Sequence, residues 1–192
     1  MSLLETLTSQ ISGKALEGLA GQLGVDSNVT SAAISAALPM IVGALAKNAS
    51  SQDGAASLAS ALDKDHDGGI MDNLTDFLGS TDNGPGGAIL GHVFGNKRSG
   101  VEAGLSQMTG LNTGQAGSLL ENLAPIVMGQ LGRQKKSSGL GIEDLAGLLA
   151  GESNTARSQS GGAMDLLSSL LDQDGDGSML DDIGGMLGKF LK

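Results

Sequence analysis

An all-α, multihelical chain built from two related halves is the fold that this sequence predicts. Three observations carry it. Apolar residues recur at three to five residues, as Leu4, Leu7, Ile11, Leu16, Leu19 and Leu23 do, and no stretch alternates convincingly with period two. Aromatic residues are only 2% of the chain, with no Trp or Tyr, so the core has to be Leu, Ile, Val, Met and Ala. The segment "GVDSNVTSAAISAALPMIVGALAKN" (24–48) also aligns without a gap to "GLNTGQAGSLLENLAPIVMGQLGRQ" (110–134), 86 residues later.

The elements follow in order. Ser2 and Glu5 have the spacing of a capping box at the start of the first helix. Gly24 can stop that helix, and Asp26 or Ser27 can cap the next one. In the second half Asn112 or Thr113 stands at the corresponding place. Pro39 and Pro125 fall inside apolar runs, where each either kinks a helix or opens a new one. The run from Ala32 to Ala46, interrupted by Ser35 and Pro39, is short for a bilayer span and suits a buried helix. "STDNGPGG" (80–87) reads as a turn-rich linker, followed by a short apolar helix and then one capped by Asn96. The polar stretch "GESNTARSQSGG" (151–162) reads as a flexible insertion. This divides the chain into an N-terminal helical half (1–79), a Gly-rich linker with a short helix (80–98) and a C-terminal half (99–192).

Each half ends in a helix, a short DxDxDG loop and another helix. The two loops are "LDKDHDGGIMDNL" (62–74) and "LDQDGDGSMLDDI" (171–183), 109 residues apart. Calcium takes six to eight oxygen ligands, and alternate acids aim carboxylates at one point as the chain curls. In the first loop Asp63, Asp65 and Asp67 hold positions 1, 3 and 5 of an EF-hand-type loop. Gly68 stands at the sharp turn, Gly69 offers a carbonyl at position 7, Ile70 anchors the loop, and Asp72 holds position 10. The second loop repeats this order with Asp172, Asp174, Asp176, Gly177, Ser178, Met179 and Asp181.

The bidentate Glu expected at position 12 is absent: Leu74 and Ile183 stand there. Asp72 and Asp181 are the substitutes, each also able to cap the exit helix. Two calcium sites result, weak ones of roughly 10⁻⁵ to 10⁻³ M. The plainer alternative is a pair of acidic helix-to-helix turns. Crowded carboxylates repel each other unless a cation or protons join them, which favours the metal.

The net charge of −10 is largely local to these loops. Eight aspartates hold the ligand positions named above, and discounting those eight leaves −2. An acidic chain without a basic stripe is a poor nucleic-acid ligand, and no nucleic-acid partner is expected. There is no Cys, hence no thiolate site or disulfide. His66 lies at an outward loop position and His92 in a short helix; with no Cys and no well-placed Ser–His pair, nucleophilic chemistry has no support. "NKR" (96–98) and "RQKK" (133–136) read as solvated helix ends, and Met128, Met164, Met179 and Met186 as core filler.

"ILGHVFGNKRSGVEAGLSQMTGL" followed by "LLENLAPIVMGQLG" resembles the bacterial YidB-like family, the domain of unknown function 937. Gly91 to Gly95, Gln107 to Leu111 and Leu123 to Gly129 are the most telling pieces, and the ending "LDQDGDGSMLDDIGGMLG" is similar too. The resemblance implies a multihelical all-α fold and a bacterial source, and no activity.

The reading is a non-enzymatic, calcium-binding structural or interaction protein, rigidified by calcium and self-associating or bound to a protein partner. The competing reading is an intracellular helical interaction module in which metal is incidental. A hydrolase or a homeodomain-like nucleic-acid binder is the weaker third class, the last opposed by charge. Weak sites fill outside the cell, while the N-terminus carries no pattern of a cleaved signal. The balance leans slightly to an exported or surface setting over the cytoplasm.

Overall fold

The computed structural model describes residues 2–64, 68–79 and 85–159. They form α-helices and two 3-10 turns, and there is no strand among the described residues. In chain order these are α1 (Leu3–Gln10), α2 (Lys14–Leu23), α3 (Ser27–Asn48), α4 (Gln52–Lys64), a 3-10 turn (Gly69–Asn73) and α5 (Leu74–Gly79). Then come α6 (Gly86–Phe94), a second 3-10 turn (Gly95–Lys97), α7 (Arg98–Thr109), α8 (Thr113–Ser138) and α9 (Ile142–Gln159).

The helix starts are set by local chemistry. Ser2 and Glu5 make the reciprocal capping box expected of them. Asp26 accepts from the Asn28 N–H to cap α3, and Asn112 does the same for Gln115 at α8. Gln115 completes a capping box there and also donates to the Leu23 carbonyl, tying the start of α8 to the end of α2. Asn96, the expected cap of α7, instead lies within the second 3-10 turn. Lys97 holds the cap position, with no side-chain hydrogen bond.

The two long helices α3 and α8 make the core. They pack on each other, and α3 is further wrapped by α1, α2, α6, α7 and α9. Ile34, Leu38, Met40 and Ile41 of α3 and Leu119, Leu120, Ile126 and Val127 of α8 are almost wholly buried. At 22 residues α3 is longer than the apolar run suggested, and is long and apolar enough to cross a membrane by length and composition. Two-thirds (67%) of its most apolar window is buried inside the protein, as in the core helix of a folded domain.

Neither proline starts a helix. Both α3 and α8 run through, with Pro39 and Pro125 buried inside them. Pro125 has no N–H for the carbonyl of Glu121, four residues back. That carbonyl is where α6 comes closest: a Cβ on Gly86 would lie 2.0 Å from the Glu121 oxygen. Arg98 closes the same corner. Its guanidinium donates to Glu102 at 2.6 Å, to Glu121 at 2.5 Å and to the Gly87 carbonyl at 3.3 Å, so one side chain joins α6, α7 and α8. The bonds to Glu102 and then Glu121 raise its pKa above the ordinary guanidinium value.

Residues 151–159, expected as part of a flexible insertion, belong to α9. Ala156 is fully buried. The Glu152 carboxylate accepts the N–H of Leu3 at 2.8 Å and of Leu4 at 3.4 Å, completing the start of α1 from across the fold. A composition rich in Gly, Ser and Asn suggested a loop; burial on α3 and this cap make a helix of it.

Candidate functional site

The first Asp loop is the site that the structure describes in part. Asp63 lies in the last turn of α4. Asp65, His66 and Asp67 lie outside the described residues, as do Asp172, Asp174, Asp176, Ser178 and Asp181 of the second loop. The chain resumes at Gly68 with φ 98°, in the left-handed region that glycine adopts without strain. Its carbonyl accepts the Met71 N–H at 3.1 Å and opens the 3-10 turn. Asp72 follows on the exposed side, and Gly69 is exposed as well.

The loop is held against α8 by shape and by charge. Ile70 is half-buried, and a Cβ on Gly129 of α8 would lie 2.4 Å from its Cγ2. The Arg133 guanidinium donates to Asp72 at 2.5 Å and to the Gly68 carbonyl at 3.2 Å. Lys135 pairs with Asp63. These two cations come from the "RQKK" cluster, which had read as a solvated helix end. The pairing is between residues more than 60 apart in the chain, and no local pattern announces it. Its one signal is that Arg133 and Lys135 lie just past a glycine notch on the helix.

Leu74, at the place where a bidentate Glu would stand, is buried and opens α5. That helix packs on α2. The apolar residue at position 12 therefore anchors the exit helix. Among the described residues, no three His, Asp or Glu side chains are grouped to hold a metal ion.

Two concavities flank this region. A small one of about 310 Å³ lies between the α1–α2 corner (Gln10, Ser12, Lys14) and the exit of the first loop (Asp72 to Asp76). A larger groove of about 1390 Å³ lies between the end of α3, α4 and the α6–α7 corner. Leu45, Ile89 and Phe94 line it, together with Lys47, Lys64 and Lys97. His92, exposed, is also on its wall.

The described chain is thus a multihelical all-α protein. It belongs to the family described as bacterial protein of unknown function (DUF937), whose model matches residues 5–134 and 143–190. No curated protein and no solved structure matches the chain.

Proposed function

We propose that this is a non-enzymatic structural or interaction protein whose two Asp loops bind calcium, and which calcium rigidifies. The observation that carries the reading is the turn of the first loop. Gly68, at position 6, takes a left-handed φ of 98°, and Ile70, at position 8, reaches the Gly129 notch. Those are the two conformational demands a DxDxDG calcium loop makes on the chain after its acids. The acids in question are Asp63, Asp65, Asp67 and Asp72, with the Gly69 carbonyl, and their counterparts Asp172, Asp174, Asp176, Ser178 and Asp181.

An internal duplication belongs to the same reading. Several paired features support it. Gly24 and Gly110, 86 apart, end α2 and α7 in the left-handed conformation (φ 66° and 77°). Asp26 and Asn112, at the same spacing, cap α3 and α8. The helix order α1–α2–α3 recurs as α6–α7–α8, each ending in the long helix of the core.

Calorimetry with calcium, and thermal melts in calcium and in chelator, test the metal. Each filled site should add about 2.7 kcal/mol at a hundredfold excess over Kd. Asp65→Ala with Asp174→Ala should abolish the shift. Absence of heat and of any melting shift at millimolar calcium would sink the proposal.

A second reading is favoured by one specific observation: Arg133 and Lys135 already neutralise Asp72 and Asp63. On this reading the chain is a helical interaction module and the Asp loops are acidic clasps on its long helices. Self-association belongs to either reading, from the Gly- and Ala-rich composition. Monomers at high concentration in sedimentation, with and without calcium, would remove it.

A further inference from the structure

The first loop uses a definite seat on α8: the Gly129 notch receives Ile70, and Arg133, one turn on, receives Asp72 and the Gly68 carbonyl. Shifting the seat back by 86 residues lands on Gly43 and Lys47, at the end of α3. Shifting the loop forward by 109 lands on Met179 for Ile70 and Asp181 for Asp72. Glycine, cation, apolar anchor and acid all reappear in the order the first seat uses. We propose that the C-terminal turn of α3 is the docking seat of the second Asp loop, residues 172–181 of this same chain, with Lys47 as the partner of Asp181.

The surroundings of α3 support this independently of the register. The large groove runs along that turn, and Lys47 is on its wall. Its other boundary is the α6–α7 corner (Phe94, Gly95, Asn96, Lys97). The first loop's exit likewise lies beside the α1–α2 corner (Gln10, Ser12, Lys14). The seat on α8 and the groove on α3 are therefore flanked by equivalent corners of the α1–α2–α3 and α6–α7–α8 runs.

Charge agrees. Three lysines and no Asp or Glu line the groove among the described residues, in a chain of net charge −10. The segment 172–182 carries five aspartates and no base, and opposite charge selects both partner and register. The length of chain also allows it. Thirty-three residues follow Gln159, and a dozen of them extended would span about 40 Å.

This inference rests on the duplication and not on calcium, so its test is run in chelator. The chain has no Cys, which makes paired cysteines free of background. The pair Lys47→Cys with Asp181→Cys is treated with a short bifunctional maleimide and compared with two others. Asp72→Cys with Arg133→Cys sets the rate of a seated loop. Lys14→Cys with Asp181→Cys, whose first member flanks the other seat, sets the background.

The expected result is intramolecular cross-linking of 47 to 181 within about threefold of the seated pair and at least tenfold above background. A rate at background overturns the proposal. So does a product found only as a covalent dimer, which would make a second copy's loop the occupant. Efficient cross-linking with no calcium heat would sink the calcium reading alone. Calcium heat with background cross-linking would sink the seat alone.

Discussion

Ile70 covers the bare Cα of Gly129, so closely that a Cβ on that glycine would stand 2.4 Å from the isoleucine Cγ2. Gly to Ala inside a helix ordinarily stabilises by about 1 kcal/mol. Here the added methyl has to displace a branched side chain, and overpacking costs about 1–3 kcal/mol. Gly129→Ala is therefore expected to destabilise in urea melts, and Ile70→Ala in the same chain should recover part of the loss. A stabilised Gly129→Ala variant would mean that Ile70 leaves the notch in solution.

Arg133 and Lys135 occupy two of the acids that calcium would need. Replacing both with Gln removes that competition. The calcium affinity measured by calorimetry should rise by roughly threefold to tenfold. Without calcium the cost should be small, about 1 kcal/mol or less, because both acids are well exposed and such pairs are weak in water. Unchanged affinity would show that metal binding leaves the clasp in place.

Glu152 makes α9 a structural part of α1. Glu152→Ala should lower stability by about 1 kcal/mol, the usual scale of a lost helix cap. Glu152→Gln, which keeps an acceptor but not the charge, should lie between. Deleting residues 151–159 tests the same point more severely. A flexible insertion would be removed without effect, whereas this segment carries the cap and buried Ala156. A clear fall in melting temperature is expected.

Arg98→Met should cost about 1–2 kcal/mol in chemical denaturation. It keeps the apolar stem but leaves Glu102 and Glu121 without their shared cation, at side chains only partly open to water. Pairing Arg98→Met with Glu121→Gln should be less than additive, since the two residues meet directly.

Much of the fold was legible because it is written locally. The capping box at Ser2, the caps at Asp26 and Asn112 and the stop at Gly24 each need only residues within one turn of themselves. The mistaken expectations are of three kinds. The run from Leu4 to Leu23 reads as one helix, but Gly13, at a φ of 57°, divides it into α1 and α2. Asn96 has the right chemistry for a cap, but it lies in a 3-10 turn, one residue before the cap position at Lys97. The stretch 151–159 has loop-like composition, and its helix depends on α3 and on the N–H groups of α1. Pro39 and Pro125 could kink or start helices by their own rules; neither starts one, and α3 and α8 continue through them with both prolines buried in the core.

What the chain determined alone is its helical class, its family, several helix ends and the presence of two acidic DxDxDG segments. Helical periodicity, caps and backbone preferences act over a few residues, and they survive without knowledge of the partner. Which cation meets which acid is a different matter. Asp72 and Arg133 are 61 residues apart, Asp63 and Lys135 are 72 apart. The packing of α4 and of the 3-10 turn on α8, with Ile70 over the Gly129 notch, brings them together. Tertiary structure alone decided that the basic end of α8 is the clasp of the first Asp loop, because that pairing depends on how two helices stack and not on any spacing along the chain.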